Sequence, residues 1–148
     1  MIHTHESQQQ QLQAFEQACR ESGLKVTHQR LMIFRELVLT PDHPTAEQLH
    51  QRIRKSIPTI SLDTIYRTLA TFEEHGLVNR VDTQQSQAHF EAAGTGHHHV
   101  ICTRCGKILD FKWNTLDSSS LPDMLTKWGR VDTANITAYG ICNNCLKQ

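Results

Sequence analysis

The stretch SLDTIYRTLATFEEHG, Ser61 to Gly76, carries the reading of the fold. Ile65, Leu69 and Phe72 recur at helical spacing and form one apolar side. Ser61 precedes the run as an N-cap, Asp63 sits near the positive end of the helix dipole, and Gly76 suits a left-handed C-cap. The outer face is polar, with Thr64, Arg67, Thr68 and Thr71, and Tyr66 lies beside it. Two short strands are expected directly after this helix, Leu77 to Val81 and Gln87 to Glu91, on either side of a polar turn at Asp82 to Ser86.

Upstream, Leu12, Phe15 and Cys19 make one stripe of a helix over about Gln8 to Ser22, closed by Gly23. Thr27 caps a second helix, HQRLMIFRELVL, whose Leu31, Ile33, Phe34, Leu37 and Val38 form a broad buried face, and the Pro41 to Pro44 turn stops it. Thr45 caps a third, AEQLHQRIRKS, with Glu47 or Gln48 near the capping-box position, Leu49 and Ile53 inward, and Pro58 beyond its end. Short helices followed by a hairpin is the order of a winged helix-turn-helix, with the Ser61–His75 helix as the one that enters the groove. The lone Cys19 falls in the apolar stripe and reads as a small buried residue.

The remaining third has another character. Gly94 and Gly96 mark a hinge, followed by a strand HHHVIC, a strand KILDF, a helix around Thr115 to Trp128 and a final strand about Ile136 to Ile141. Two matched pairs, Cys102-Thr103-Arg104-Cys105 and Cys142-Asn143-Asn144-Cys145, lie at its two ends. Two residues between thiolates let a tight turn aim both sulfurs at one metal, and Gly106 suits the positive φ of such a knuckle. A zinc bound by Cys102, Cys105, Cys142 and Cys145 would staple a domain of about 50 residues, which is too small to build an ample core. A thioredoxin-like redox pair does not account for the second matched pair. The fold class is therefore α+β: a winged-helix domain over residues 1–92, a hinge over 93–96, and a small α/β domain over 97–148.

His97, His98 and His99 open the HHHVIC strand, so His97 and His99 share a face and His98 takes the other. Two imidazoles at i and i+2 are half of a metal site, and Glu91 and Asp110 are the carboxylates placed to join them. Nitrogen and oxygen donors without thiolate suit a labile Fe(II), Mn(II) or Zn(II). A solvated histidine-rich loop is the competing reading of the same residues.

GLKVTHQR, HPTAEQLH, SLDTIYRTL, HGLV, HFE, HHHVICTRCGKILDF and YGICNNC together resemble, in order and spacing, the motifs of the ferric uptake regulator (Fur) family of metal-dependent bacterial repressors. The resemblance covers nearly the whole chain. It implies structural zinc on the four cysteines of the two pairs and a regulatory metal, Fe(II) or Mn(II), on His43, Glu91, His97, His99 and Asp110. It also implies a homodimer that binds double-stranded operator DNA, with an AT-rich palindrome as the expected site, while the polar first residues make the cytoplasm the default compartment. Metal held by ligands from both domains would fix their relative angle, and with it the spacing of two reading helices in a dimer.

Within the family, Asp110 and the step from Glu91 to His97 resemble the peroxide-sensing (PerR-like) branch, whereas Glu91 itself and Tyr66-Arg67 resemble the iron-uptake branch. Peroxide sensing is the favoured reading and iron sensing the alternative. In the peroxide branch, bound Fe(II) reacts with peroxide and a histidine ligand is oxidised, which makes His43 and His97 the expected targets. A zinc-responsive regulator fits less well, because its sensing site commonly includes a cysteine and the spare Cys19 lies in the wrong segment. A further metal site of some iron regulators is expected to be absent, since Ala134 and Gly96 stand at ligand positions.

On the reading helix, Tyr66 can set its ring against thymine methyls and Arg67 can reach a base edge or phosphate. Ser61 and Thr64 can bond phosphates at the helix start. By resemblance, Lys25 is the minor-groove contact. Charge gives little help: residues 1–92 hold nine Lys and Arg against eleven Asp and Glu, and residues 93–148 hold six against four, for a net charge of zero. Recognition of DNA must then rest on local placement of a few cations and on their doubling in a dimer.

An enzyme is not expected. His89-Phe90-Glu91 before a CxxC resembles the zinc deaminase pattern, but Ile101 replaces the required proline and a second CxxC would close the metal's open position. A zinc-stapled interaction module is a further reading. The first residues, MIHTHESQQQQLQ, have neither a cationic nor an apolar leader segment, and no stretch approaches the ~20 apolar residues of a membrane helix.

Overall fold

The computed structural model describes residues 5–40, 42–83, 87–93, 98–117, 119–132 and 134–148. His97 and the glycines of the expected hinge lie outside the described residues. The chain divides into two compact units, Met1–Gly94 and Thr95–Gln148.

The first unit runs α1 (His5–Ser22), α2 (His28–Leu39), α3 (Ala46–Ile53), α4 (Leu62–Glu74), β1 (Val78–Asp82) and β2 (Ala88–Ala92). Local capping sets the helix starts. Thr27 Oγ1 accepts from the Arg30 N–H at 3.2 Å. At α3 the capping box is reciprocal: the Gln48 N–H donates to Thr45 Oγ1 at 3.2 Å and the Thr45 N–H donates to Gln48 Oε1 at 3.0 Å. Gln48 therefore takes the box position, which leaves Glu47 directed elsewhere. Gly76, at φ 69°, turns the chain out of α4, and the Leu77 N–H bonds back to the Phe72 carbonyl at 2.8 Å. That bond draws Leu77 into the helix end, so β1 starts one residue later than the sequence pattern predicts. β2 is likewise one residue later, with Asn79 opposite Glu91 in the antiparallel register.

α3 is shorter than expected. Arg54, Lys55 and Ser56 form a turn, because Ile57 precedes Pro58 and a residue before proline is driven out of the helical region. The core is aromatic at its centre: Phe15 stacks on Phe34 with centroids 4.1 Å apart, and Phe72 meets Phe15 edge-on at 5.3 Å. Cys19, Ile33, Leu49, Ile65 and Leu69 close around the rings. Thr68 corrects the expected outer face of α4: it is buried, and its hydroxyl donates to the Thr64 carbonyl at 2.7 Å.

The second unit contains β3 (His98–Cys102), β4 (Ile108–Phe111), α5 (Asn114–Asp117), α6 (Asp123–Trp128), β5 (Thr137–Gly140) and α7 (Asn143–Leu146). The sheet order is β4-β3-β5, antiparallel on one side of β3 and parallel on the other. The single helix expected over Thr115 to Trp128 is two short ones, separated by a serine-rich stretch and Pro122. The turn α7, which follows Cys142, has no counterpart in the sequence pattern. His98 is buried and joins three elements. The Ile136 N–H donates to its Nδ1 at 2.9 Å, so Nε2 carries the proton and donates to Asp117 at 2.8 Å. Among the described residues of this unit the buried apolar side chains are Ile101, Cys102 and Cys145. No helix among the described residues is long and apolar enough to cross a membrane.

The three-ring cluster makes Phe72→Ala the severe core change. It is expected to cost about 3–5 kcal/mol, read as a lowered urea midpoint of the helical circular dichroism signal.

Candidate metal centres and nucleic-acid interface

In the second unit the hairpin between β3 and β4 and the β5–α7 junction each supply one cysteine pair. The four Sγ atoms all lie within 4.8 Å of one another, and Cys105 and Cys142 are 3.8 Å apart. A tetrahedron of sulfurs with zinc bonds of about 2.3 Å has edges of about 3.8 Å, so the donor set fits a zinc ion and is too open for disulfides. Gly106, at φ 75°, closes the first knuckle through a 2.9 Å bond from its N–H to the Cys102 carbonyl. The knuckles are cross-tied, with the Thr103 N–H donating to the Gly140 carbonyl at 2.8 Å and Arg104 donating to the Cys145 carbonyl at 3.0 Å. Backbone N–H groups of Cys105 and Cys142 aim at the Cys102 sulfur and hold its thiol down at about 6. The neighbouring Cys142 sulfur, together with burial, pushes Cys145 up to about 12. Four sulfurs this close do not release their protons independently, and a divalent cation is the group that allows all of them to be thiolates.

Each unit also pairs one histidine with one carboxylate. In the first, His43 Nε2 lies 2.9 Å from Glu91 Oε2, with both side chains nearly buried. Asn79, across the β1–β2 ladder, donates to the other Glu91 oxygen at 3.4 Å. His43 has φ 53°, the one non-glycine residue with positive φ among those described, a conformation that costs roughly 1–2 kcal/mol. In the second unit the β3–β4 register sets His99 opposite Asp110, with Nε2 3.3 Å from Oδ1. His98, its neighbour on β3, reaches Asp117 instead. Imidazole nitrogen and carboxylate oxygen suit Fe(II), Mn(II) or Zn(II), so both pairs are chemically fit to contribute to a labile divalent site.

Lys25, Ser61, Tyr66 and Arg67 are exposed, and Thr64 is half-buried. Several of these groups already have bonding partners. Ser61 Oγ caps α4 by accepting from the Thr64 N–H at 3.1 Å, and it lies 2.8 Å from Thr64 Oγ1. The Tyr66 hydroxyl donates to Glu47, which lowers the Glu47 carboxyl below its ordinary value and raises the phenol. Arg67 pairs with Asp63 one turn earlier at 2.7 Å, both well exposed. Such exposed bonds are weak and exchange readily for phosphate contacts.

Four residues outside the ligand set expected from the sequence, His89, Asn79, Arg52 and Asp42, lie around the first pair. Strand alternation places His89 and Glu91 on one face, which is a usable signal for His89. The others depend on contacts between residues distant in the chain.

A sequence profile described as the ferric uptake regulator family matches residues 21–137. Over 130 residues, 87% of this chain and 86% of the relative, the sequence is 34% identical to the peroxide-responsive repressor PerR of Staphylococcus epidermidis. Among solved structures, the Campylobacter jejuni peroxide stress regulator is similar with a TM-score of 0.71 and 31% identity, covering 87% of this chain and 97% of that one. The ferric uptake regulator from Pseudomonas aeruginosa with manganese is similar with a TM-score of 0.73 and 27% identity, covering 86% and 97%.

Both tryptophans, Trp113 and Trp128, lie in the second unit, so their fluorescence reports on it selectively. Stripping the metal under reducing conditions, or the substitution Cys142→Ser, is expected to shift that fluorescence to the unfolded spectrum while most of the helical dichroism survives.

Proposed function

The chain belongs to the ferric uptake regulator family, and from that premise we propose that it is a metal-dependent transcriptional repressor of the peroxide-responsive kind. The observation that supports the reading most directly is that each unit offers one imidazole and one carboxylate: His43 with Glu91, and His99 with Asp110. Regulators of this family bind operator DNA as dimers and are not enzymes.

In this proposal residues 1–92 bind DNA, 93–96 are the hinge, and 97–148 bind metal and dimerise. The dimerisation role is supported by the exposed apolar side chains of the second unit, among them Leu109, Trp113, Met124, Trp128 and Tyr139. Cys102, Cys105, Cys142 and Cys145 hold zinc permanently. His43, Glu91, His97, His99 and Asp110 hold the regulatory Fe(II) or Mn(II), with ligands contributed from both sides of the hinge. A metal held by ligands from both domains would fix their relative angle and so preorganise the protein for DNA. Lys25, Ser61, Thr64, Tyr66 and Arg67 make the DNA contacts, on an AT-rich palindrome whose symmetry matches the dimer. The compartment is the cytoplasm.

When bound, Fe(II) supplies the electron that turns peroxide into an oxidant strong enough to attack an imidazole. Oxidation of His43 or His97 would remove a nitrogen donor, and the hinge would be released. An iron-responsive regulator is the second reading, favoured by Glu91 and by Tyr66-Arg67.

Two measurements test this. In a gel shift on a short AT-rich palindrome, wild type is expected to need Fe(II) or Mn(II), and His43→Ala is expected to bind weakly whatever metal is added. Tight metal-free binding by His43→Ala would refute the clamp. After anaerobic loading with Fe(II) and brief exposure to dilute peroxide, mass spectrometry is expected to find one added oxygen atom on the peptide holding His43 or His97. Unmodified peptides would leave the iron-responsive reading in its place.

A further inference from the structure

The loop that carries His43 is held from two sides, by groups that no metal-site reading employs. On one side the Arg52 guanidinium, from α3, grips the Asp42 carboxylate with two nearly parallel bonds, NH1 to Oδ1 at 3.2 Å and NH2 to Oδ2 at 2.6 Å. On the other side, His89 Nδ1 lies 2.7 Å from the His43 carbonyl oxygen. A carbonyl only accepts, so Nδ1 carries the proton and the tautomer of His89 is fixed. The adjoining backbone continues the same contact: the Phe90 N–H donates to the Pro44 carbonyl at 2.9 Å, and Thr45 bridges to His89. Between these two anchors sits His43, with its left-handed backbone at φ 53° and its Nε2 directed at Glu91.

We propose that His89 and Arg52 are positioning residues of the regulatory metal site: they hold the His43 main chain in its left-handed conformation, so that its imidazole meets Glu91, and neither contacts the metal. The inference rests on the reading of His43 and Glu91 as ligands. Its physical basis is preorganisation. An unanchored loop relaxes to an ordinary backbone conformation and withdraws the imidazole, and metal binding must then restore the strained one. The loss of partners that orient a ligand typically weakens metal binding 10–100-fold. His89 and Glu91 lie on the same strand face, so β2 presents a carboxylate ligand and the anchor of its histidine partner together.

The test is Mn(II) titration of the full-length zinc-loaded protein, followed by electron paramagnetic resonance of the free ion, on wild type, His43→Ala, His89→Ala, His89→Asn, Arg52→Ala and Arg52→Lys. An asparagine amide reproduces the Nδ1–H donor but has nothing at the Nε2 position. The expected result is a loss of about 10–100-fold for His89→Ala and for Arg52→Ala, recovery to near wild type for His89→Asn, and only partial recovery for Arg52→Lys, whose ammonium cannot form the fork. Should His89→Ala fail to fold by circular dichroism, His89→Asn and the Arg52 pair carry the test. Unchanged Mn(II) affinity in His89→Ala and Arg52→Ala, alongside its collapse in His43→Ala, would overturn the positioning role and leave the ligand reading intact. His89→Asn as weak as His89→Ala would overturn it too, by making His89 itself a ligand. An unaffected His43→Ala would remove the ligand reading and this inference with it.

Discussion

Four sulfurs within 4.8 Å of one another do for residues 98–148 what a hydrophobic core does elsewhere. Two of that unit's three buried apolar side chains among the described residues are Cys102 and Cys145, themselves members of the cluster. Short helices and a three-stranded sheet cannot bury enough surface to offset the entropy of ordering them. One zinc closed on both ends of the unit would supply the missing free energy in a single bond set. The first unit is built on the opposite principle, with stacked and edge-on phenylalanines and capped helices at its centre. The chain therefore joins a domain stabilised by packing to one whose two ends meet in a cluster of sulfurs fit to coordinate zinc.

That division constrains recognition. The proposed DNA-binding unit is formally acidic, and Tyr66 and Arg67 spend their polar atoms on Glu47 and Asp63. A surface of this kind attracts phosphate weakly at long range. The exposed Asp63 beside Arg67 offsets part of that side chain's positive charge, which further reduces the attraction felt by a phosphate at a distance. Affinity then has to come from two correctly spaced copies acting together, and anything that blurs their spacing costs more than it would for a strongly basic protein. Weak general attraction thus makes binding responsive to geometry, which is what a metal-controlled repressor requires.

The features readable from the sequence are those set by neighbours along the chain. Thr27, Thr45 and Ser61 cap helices because hydroxyls at those offsets meet free N–H groups, and CxxC aims two sulfurs at one point. Thr68 lies three residues from Ile65 and four from Phe72, so periodicity places it on the buried stripe. Its residue type argues for the surface, but its hydroxyl is satisfied within its own helix. The break between α5 and α6 is present in the sequence as serines and Pro122, set against an apolar pattern too short to sustain a helix. By contrast, the left-handed backbone of His43 and its bond from His89 join residues far apart in sequence, and no local rule reaches them. The proposed ligand role of His43 accordingly comes from family resemblance alone.

The two metal chemistries are separated by donor type. Thiolates bind zinc so firmly that the fold of the second unit would not respond to ordinary changes in metal supply. Imidazole and carboxylate bind first-row divalent ions more loosely and exchange them. In the proposed site the first unit supplies only two donors, His43 and Glu91, too few to hold an ion by themselves. His43 Nε2 and Glu91 Oε2 already face each other at 2.9 Å, so in the proposed site a metal would replace the proton between two groups whose side chains are already brought together. Under that proposal the free energy of ligation would go less into assembling the first unit's share of the site and more into the coupling between ligands, which is how one small ion could act on two domains.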